Sequence, residues 1–427
     1  VPASPELWQG TVERLGWGGH GLARAADGRL ILLRAPLALV PGEAVEARVV
    51  WKARHGEGDV TRWLTADPRR VPPACSVARE CGGCSLWGVD AELRGELKRE
   101  MAADLLRRML PGAPEWDWLP APPQARRSRI QLHWDGARLG YHARGTNDLV
   151  PVDACPLAAD AVSRAIPALA DLLAGGGLPG APARWELATG TPPTQVAASA
   201  HGRTWWIGAD SAGAADPRVG PRQPVRPDGG EPPREDDSAR LQHRLGEARL
   251  QQHPRAFFQA APAWAWEAFG RVFDAWDLRG ARLYDLYGGG GFFSVLLAPR
   301  FGRCEVVESS PLAVADAHLN LGQAAMRDAI FLQADVGDGL PFQPPDWAGP
   351  GETILLDPPR AGLPEAVSAW LSRCQAGNIV LVGCDGAAFC RDVKRILAGA
   401  QWRLARLAVV DLFPNTPEVE CVGLLER

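Results

Sequence analysis

The amino-acid sequence predicts an α/β chain in three parts: a small β-barrel over residues 1–70, an α+β segment over 71–248, and a Rossmann-like, doubly wound parallel sheet over 249–427. Three observations carry this. From about residue 250, apolar runs of strand length alternate with helical patterns, as stacked βα units require. Before residue 70, short runs with alternating apolar positions are separated by glycine turns, the pattern of a small barrel. The length, 427 residues, amounts to about three domains at roughly 150 residues each.

In chain order, Gln9–Leu15, Arg29–Arg34 and Ala44–Trp51 read as strands, with turns at Gly18-Gly19-His20-Gly21 and Pro41-Gly42. Pro68–Pro73 is a linker. Ala91–Leu110 is a helix, because Leu93, Leu97, Met101 and Leu105 fall on one face. Arg129–His133 and Arg138–His142 form a hairpin about Asp135-Gly136, and Val162–Leu173 is a second helix. Residues 211–237, rich in Pro, Gly and charge, read as a long flexible loop. The strands Leu283–Leu286, Arg303–Val307, Ala329–Gln333, Thr353–Leu356, Ile379–Val382 and Ala405–Leu412 follow, with helices between most of them, and Cys421–Leu425 closes the chain.

Composition excludes several classes. Apolar residues make up 46% of the chain, yet no run of 18 or more lacks charge, so no membrane-spanning helix is expected. Val1-Pro2-Ala3-Ser4-Pro5 has no basic region followed by an apolar one, so the expectation is a cytoplasmic protein, with no membrane partner and no obligate protein partner evident. Nine cysteines, an odd count without a leader, argue against a disulfide framework. The net charge of -4 excludes a bulk polycation, while a local basic groove for nucleic acid stays open.

The cysteines fall into groups. Cys75, Cys81 and Cys84 form C-x5-C-x2-C, and Cys155 follows in Asp153-Ala154-Cys155-Pro156. Four thiolates close a tetrahedral site, and both zinc and iron–sulfur centres use such sets. The spacing is not that of paired C-x2-C zinc knuckles. Cys384 stands apart, after the apolar run Ile379–Gly383 and before a helix whose N-terminus would lower its thiol pKa and make it a nucleophile. Cys304, Cys374 and Cys421 read as small apolar core residues, and Cys390 as a weaker nucleophile candidate.

A second constellation belongs to a small ligand. Asp285-Leu286-Tyr287-Gly288-Gly289-Gly290-Gly291-Phe292 follows a strand and opens a helix, so its backbone can approach a ligand closely. Glu308 ends the next strand, where a carboxylate can take both ribose hydroxyls. The glycines do not form G-x-G-x-x-G cleanly, so S-adenosylmethionine fits better than NAD. Asp335 ends the third strand and can reach an adenine. Asp357-Pro358-Pro359-Arg360 makes a rigid loop at the end of the fourth strand, where ligands bind in such sheets. Glu420 is a candidate general base if its loop folds toward Cys384.

In this order, Phe257-Phe258-Gln259, the turn from Asp285 to Phe293, Glu308, Asp357-Pro-Pro-Arg360, Cys384 and Phe413-Pro-x-Thr-Pro-x-Val-Glu420 resemble the RNA (uracil-5-)-methyltransferase family. The four N-terminal cysteines and Arg126-Arg127-Ser128-Arg129 extend the likeness over nearly the whole chain, closest to the iron–sulfur-containing 23S rRNA branch. The resemblance implies an OB-like TRAM barrel for RNA at the N-terminus. It also implies a [4Fe-4S] cluster on Cys75, Cys81, Cys84 and Cys155, ahead of zinc. S-adenosylmethionine is implied at Gln259, Tyr287, Phe292, Glu308, Asp335 and Asp357. Arg126, Arg127 and Arg129 are implied as RNA contacts.

By the same resemblance, Cys384 adds to C6 of a flipped uracil, C5 takes the methyl group and Glu420 removes the C5 proton. Family members read Ser-Cys-Asn-Pro where this chain reads Gly383-Cys384-Asp385-Gly386. The expected reaction is C5 methylation of a uridine in 23S rRNA. A tRNA uridine or an RNA cytosine as target, and a catalytically silent RNA-binding protein, stay open as alternatives.

Overall fold

Alternating apolar side chains in the first 63 residues produce six strands: β1 (Glu6–Thr11), β2 (Arg14–Leu15), β3 (Gly21–Arg24), β4 (Leu30–Arg34), β5 (Ala44–Trp51) and β6 (His55–Trp63). The computed structural model describes residues 4–193, 195–207, 236, 238–324, 326, 328–337 and 348–427. The loop expected at 211–237 lies almost entirely outside the described residues. Helix α1 (Ala91–Met109) follows, its first turn capped by Asp90, which accepts from the Leu93 amide at 2.8 Å.

The chain then runs through β7 (Trp116–Leu119), β8 (Arg129–Trp134), β9 (Leu139–His142), β10 (Leu149–Pro151), α2 (Asp160–Ala174), β11 (Ala183–Thr189), β12 (Val196–Ala200), β13 (Arg203–Ile207), β14 (Leu241–Leu245), β15 (Ala248–Gln252) and α3 (Pro262–Ala275). Strand–helix alternation takes over with β16 (Gly280–Leu286), α4 (Phe292–Leu297), β17 (Phe301–Glu308), α5 (Pro311–Gln323), β18 (Ala329–Gln333), β19 (Thr353–Leu356), α6 (Glu365–Leu371), β20 (Asn378–Gly383) and α7 (Gly386–Leu397). It ends with β21 (Arg403–Val410) and β22 (Glu420–Glu426).

Two compact units emerge. The first comprises Val1–Gly112, His142–Val150 and Phe413–Val419. Its sheet has the order β1-β5-β6-β4-β3-β2, antiparallel except for the β4–β6 pair. Val12, Ile31, Leu33, Val45, Ala47 and Val49 form its core with Leu86, Leu93, Leu97 and Met101, so the predicted apolar face of α1 packs as expected. Lys98 lies on that helix fully buried, at 0% exposure, and donates from Nζ to the Phe413 carbonyl at 2.8 Å.

The second unit comprises Ala113–Tyr141, Pro151–Leu412 and Glu420–Arg427. Strands β8, β11, β12 and β13 pair antiparallel in it. Its main sheet has the order β18-β17-β16-β19-β20-β22-β21-β7. Strands β16 to β20 pair in parallel, as the alternation predicts. The sheet is not wholly parallel, however, because β22 runs antiparallel between β20 and β21. The connection from β21 to β22 is too short for a crossover, which needs a dozen or more residues, so the final strand must reverse. No described helix is long and apolar enough to cross a membrane.

Candidate active site

The carboxyl ends of β16, β17, β19 and β20 carry Tyr287, Glu308, Asp357 and Cys384, all in the second unit. After β16, the backbone turns through Tyr287 (φ 62°), Gly289 (φ 54°) and Gly291 (φ 80°) into α4. Gly288 is required by space, since a Cβ there would stand 2.6 Å from Val306 Cγ1 and 3.0 Å from the Asp285 carbonyl. At Gly289 a Cβ would meet nothing within 4 Å. The turn therefore presents bare backbone to open space, the surface a close-fitting ligand needs. Glu308 reaches it: its carboxylate accepts from the amides of Gly289 (3.0 Å) and Ser310 (2.7 Å) and from the Ser309 hydroxyl at 3.3 Å.

Beneath the turn lies Asp285, fully buried. Its Oδ2 accepts from Ser294 Oγ at 2.5 Å, while Oδ1 has no hydrogen-bond partner among the described residues. Burial lifts its pKa to about 7 against the pull of the Ser294 hydroxyl, and the charges of Asp357 and Glu308 add to the rise.

Asp357, at the end of β19, accepts from Gln259 Nε2 at 3.3 Å. Burial raises this carboxyl to about 7, with the Gln259 hydrogen bond opposing. Cys384 follows β20. Gly383 and Cys421 are cross-strand partners, as are Val410 and Glu420, so the β20–β22 pairing brings Glu420 to the position beside Cys384. Glu420 is only 5% exposed, and its Oε2 has no hydrogen-bond partner among the described residues. Burial and the Asp357 charge hold its pKa well above the carboxylate range, with Arg360 pulling the other way. These side chains feel one another as a cluster of one thiol, two carboxyls and one guanidinium.

The expected lowering of the Cys384 thiol is not what the structure shows. Helix α7 begins at Gly386, and its N-terminus is occupied by Asp385, which accepts from the Ala388 amide at 2.8 Å. Burial, then the charges of Glu420 and Asp357, push the thiol up to about 12, against Arg360. Burial and the neighbouring carboxyl charges thus favour the protonated form of both groups.

Other candidates sit differently. The Phe292 ring is packed edge-on against Phe258, Trp266 and Phe293, which leaves its backbone as the part facing the turn. Tyr287 is half-buried, and burial followed by the charges of Asp335 and Asp392 raises its phenol to about 12. Asp335 is exposed and accepts from the Gly337 amide at 2.7 Å. Arg129 donates to the carbonyls of Ala256 (2.7 Å) and Pro254 (2.9 Å) and to Glu186, so its guanidinium is occupied inside the unit. Arg126 is exposed, with Nη1 on the Pro123 carbonyl at 2.7 Å; Arg127 is half-buried. Phe257, beside Gln259, is 69% exposed. Sequence reasoning missed Asp316 and Asn320 of α5, which contact the turn, and nothing local marks them.

In the first unit, Cys75, Cys81 and Cys84 share one loop. The Gly83 amide donates to Cys81 Sγ at 3.4 Å, and Arg144 Nη2 donates to the Cys84 carbonyl at 2.7 Å. Cys155, in the second unit, donates its amide to Ser163 Oγ at 2.9 Å. None of the nine cysteines is in a disulfide. Among the described residues, no three or more His, Cys, Asp or Glu side chains are grouped so as to hold a metal ion.

A family model described as tRNA (Uracil-5-)-methyltransferase matches residues 350–427, the stretch that holds Asp357, Cys384 and Glu420. The chain is 32% identical to the 23S rRNA (uracil(1939)-C(5))-methyltransferase RlmD of Pseudomonas aeruginosa, over 97% of this chain and 93% of that protein. It is 31% identical to the protein of the same name from Pseudomonas fluorescens Pf-5, over 97% and 93%. An uncharacterized RNA methyltransferase of Caulobacter vibrioides is 30% identical over 98% and 99%. The fold is similar to that of the Pyrococcus abyssi tRNA (uracil-54, C5)-methyltransferase solved with S-adenosyl-L-homocysteine, with a TM-score of 0.71, 23% identity, and 98% and 99% of the two chains covered.

Proposed function

The chain belongs to the RNA uracil-C5-methyltransferase family, and from that premise we propose that it methylates C5 of a uridine in 23S ribosomal RNA, in the cytoplasm. The observation that carries this reading is the convergence of Cys384, Glu420, Asp357 and Gln259 beside a bare glycine turn, in a chain whose full-length relatives carry that activity in their names.

The residues present fit S-adenosylmethionine: a backbone turn with no room for a Cβ at Gly288, and Glu308 at the end of the next strand. Gly288–Gly291, Glu308, Tyr287, the Phe292 backbone and Asp335 would hold it. When bound it supplies an electrophilic methyl group. The chain's own residues do the rest. Uracil C5 is a weak nucleophile, so the Cys384 thiol gives up its proton to solvent and the thiolate sulfur bonds to C6, which moves the C5–C6 π pair onto C5 and O4 as an enolate. After C5 is methylated, the Glu420 carboxylate takes the C5 proton, the C5–H pair re-forms the C5=C6 bond, and the C6–S bond breaks with sulfur leaving as the thiolate. Glu420 can accept that proton only when ionised, and the positive charge of Arg360 favours that form. Gln259 and Asp357, hydrogen-bonded to each other, bind the donor or the base.

For the RNA we infer a flipped target nucleotide and a TRAM-like module at residues 1–70. The Arg29 guanidinium stacks 3.9 Å over the Trp51 ring there, the aromatic–cation surface that single strands favour. Arg126 and Arg127 are the RNA-facing candidates that remain. Cys75, Cys81, Cys84 and Cys155 are proposed to ligate a [4Fe-4S] cluster: the donors are soft thiols outside any disulfide, and an amide already points at Cys81 Sγ.

The test is transfer of labelled methyl to unmodified 23S rRNA, with mass mapping of the product. A 5-methyluridine in that RNA is the expected outcome. Product only in tRNA, or only at cytosine, would replace the substrate assignment, and bound RNA without any product would remove the enzyme reading.

A further inference from the structure

Helix α5 carries two buried polar residues one turn apart, Asp316 at 1% and Asn320 at 0% exposure. Neither is explained by the helix itself, and their partners are on three other segments of the same unit. Asn320 Oδ1 accepts from the Gln251 amide at 2.6 Å, and Nδ2 donates to the Gln251 carbonyl at 2.9 Å. The side-chain amide thus pairs both backbone groups of Gln251, as a neighbouring strand would. The second Nδ2 proton goes to the Gly290 carbonyl at 2.8 Å, inside the glycine turn. Asp316 Oδ2 accepts from the His253 amide at 2.7 Å, and Oδ1 from Arg240 Nε at 2.7 Å. The helix also packs on the turn directly, since a Cβ at Gly290 would meet Asp316 Cβ at 3.4 Å.

Gln251 and His253 start the segment that ends at Gln259. That segment is short and internally fixed: Gln252 Nε2 donates to the Ala256 carbonyl at 3.0 Å, and Phe258 packs edge-on against Phe292 at 5.8 Å. Its far end delivers the Gln259 amide to Asp357. One helix face therefore holds the glycine turn and the segment that places Gln259.

We propose that Asn320, with Asp316 beside it, is a positioning residue that couples the donor-binding turn to the Gln259 arm. The donor and the target base are then held in one frame, and a shift at the turn reaches Asp357 through Gln251–Gln259. The inference rests on the methyltransferase reading of the site.

The test is a double-substitution cycle on the full chain. S-adenosylmethionine affinity is measured by calorimetry without RNA, well below the melting temperature, and the turnover number is measured at saturating donor. Asn320→Ser removes all three contacts. Asn320→Asp keeps the size and the acceptor for the Gln251 amide but loses both donors, and it serves if the serine variant is poorly folded. Each is expected to weaken donor binding about tenfold and to lower turnover about tenfold, in the usual range for coupled sites. In a Gln259→Ala background the same substitutions still weaken donor binding but no longer lower turnover, because the arm through which they act is gone. A purely structural role would lower the melting temperature and leave donor affinity unchanged in the folded fraction. That result, or an equal loss of turnover with and without Gln259, overturns the inference. If the unsubstituted chain binds no S-adenosylmethionine, the reading of the site falls with it.

Discussion

Glu420→Gln separates the two halves of the proposed reaction. The amide keeps the shape and lacks the base, so sulfur addition and methylation proceed while proton removal stops. A covalent RNA adduct on Cys384 is expected to accumulate on a denaturing gel, with product formation cut by about a hundredfold or more, the usual contribution of a positioned base. Free product at the parental rate would remove Glu420 from the mechanism. Asp285 gives a second residue-level prediction, in stability. Its pKa rises from the ordinary 3.8 to about 7. Between those values the unfolded chain loses its proton first, so stability falls as pH rises through the window and is flat above it. The penalty is at most about 4 kcal/mol. Asp285→Asn should melt higher than the parent by a margin that grows from pH 5 to pH 8; a constant margin contradicts the assignment. These two carboxyls also show what the sequence could convey. Their positions at strand ends were legible, because strand ends are read from apolar periodicity. Their protonation was not, because it depends on burial by residues far along the chain. For the same reason Cys384 was expected to be activated by the α7 N-terminus, although Asp385 already caps it, and Arg129 was expected on RNA, although Pro254, Ala256 and Glu186 occupy it.

The glycine turn offers a test of an element. Gly288→Ala forces a methyl into Val306 and the Asp285 carbonyl, and should weaken S-adenosylmethionine binding by more than tenfold while lowering the melting temperature. Gly289→Ala meets no atom within 4 Å and pays only for its φ of 54°, about 1–2 kcal/mol. Donor titrations of the two variants, read beside their melting curves, decide whether space or backbone strain governs the turn; equal effects would rule out the steric account. Elements with strong periodicity were legible: Ala44–Trp51, Ala329–Gln333 and Thr353–Leu356 fall where the pattern puts them. Val196–Ala200 did not show itself. Its sequence, Val-Ala-Ala-Ser-Ala, is buried throughout yet lacks the branched and aromatic residues that mark strands. Asn320 and Asp316 were silent for another reason: a polar residue on a helix is usually a solvated one, and only the fold turns these two inward.

At the scale of the molecule, the chain enters and leaves its units more than once, with Phe413–Val419 counted in the first unit between two strands of the second. Discontinuity of this kind arises from long-range packing, which a pass along a sequence reads as successive segments. The four proposed cluster ligands are scattered along the chain in the same way. Three lie on one loop, at Cys75, Cys81 and Cys84, and a loop rich in Gly and Cys has little apolar surface of its own to hold its shape. A metal that binds the folded chain and not the unfolded one adds its binding free energy to folding. Protein purified without oxygen is therefore expected to be brown and to carry about four irons and about four sulfides per chain. Cys81→Ser should lose most of the iron, and chelation after oxidation should lower the melting temperature of the parent while leaving that of the serine variant unchanged. Zinc in place of iron, with no acid-labile sulfide, would replace the cluster by a structural zinc site on the same thiols. Full thermal stability after complete metal removal would show that the cysteines do not stabilise the fold through a metal.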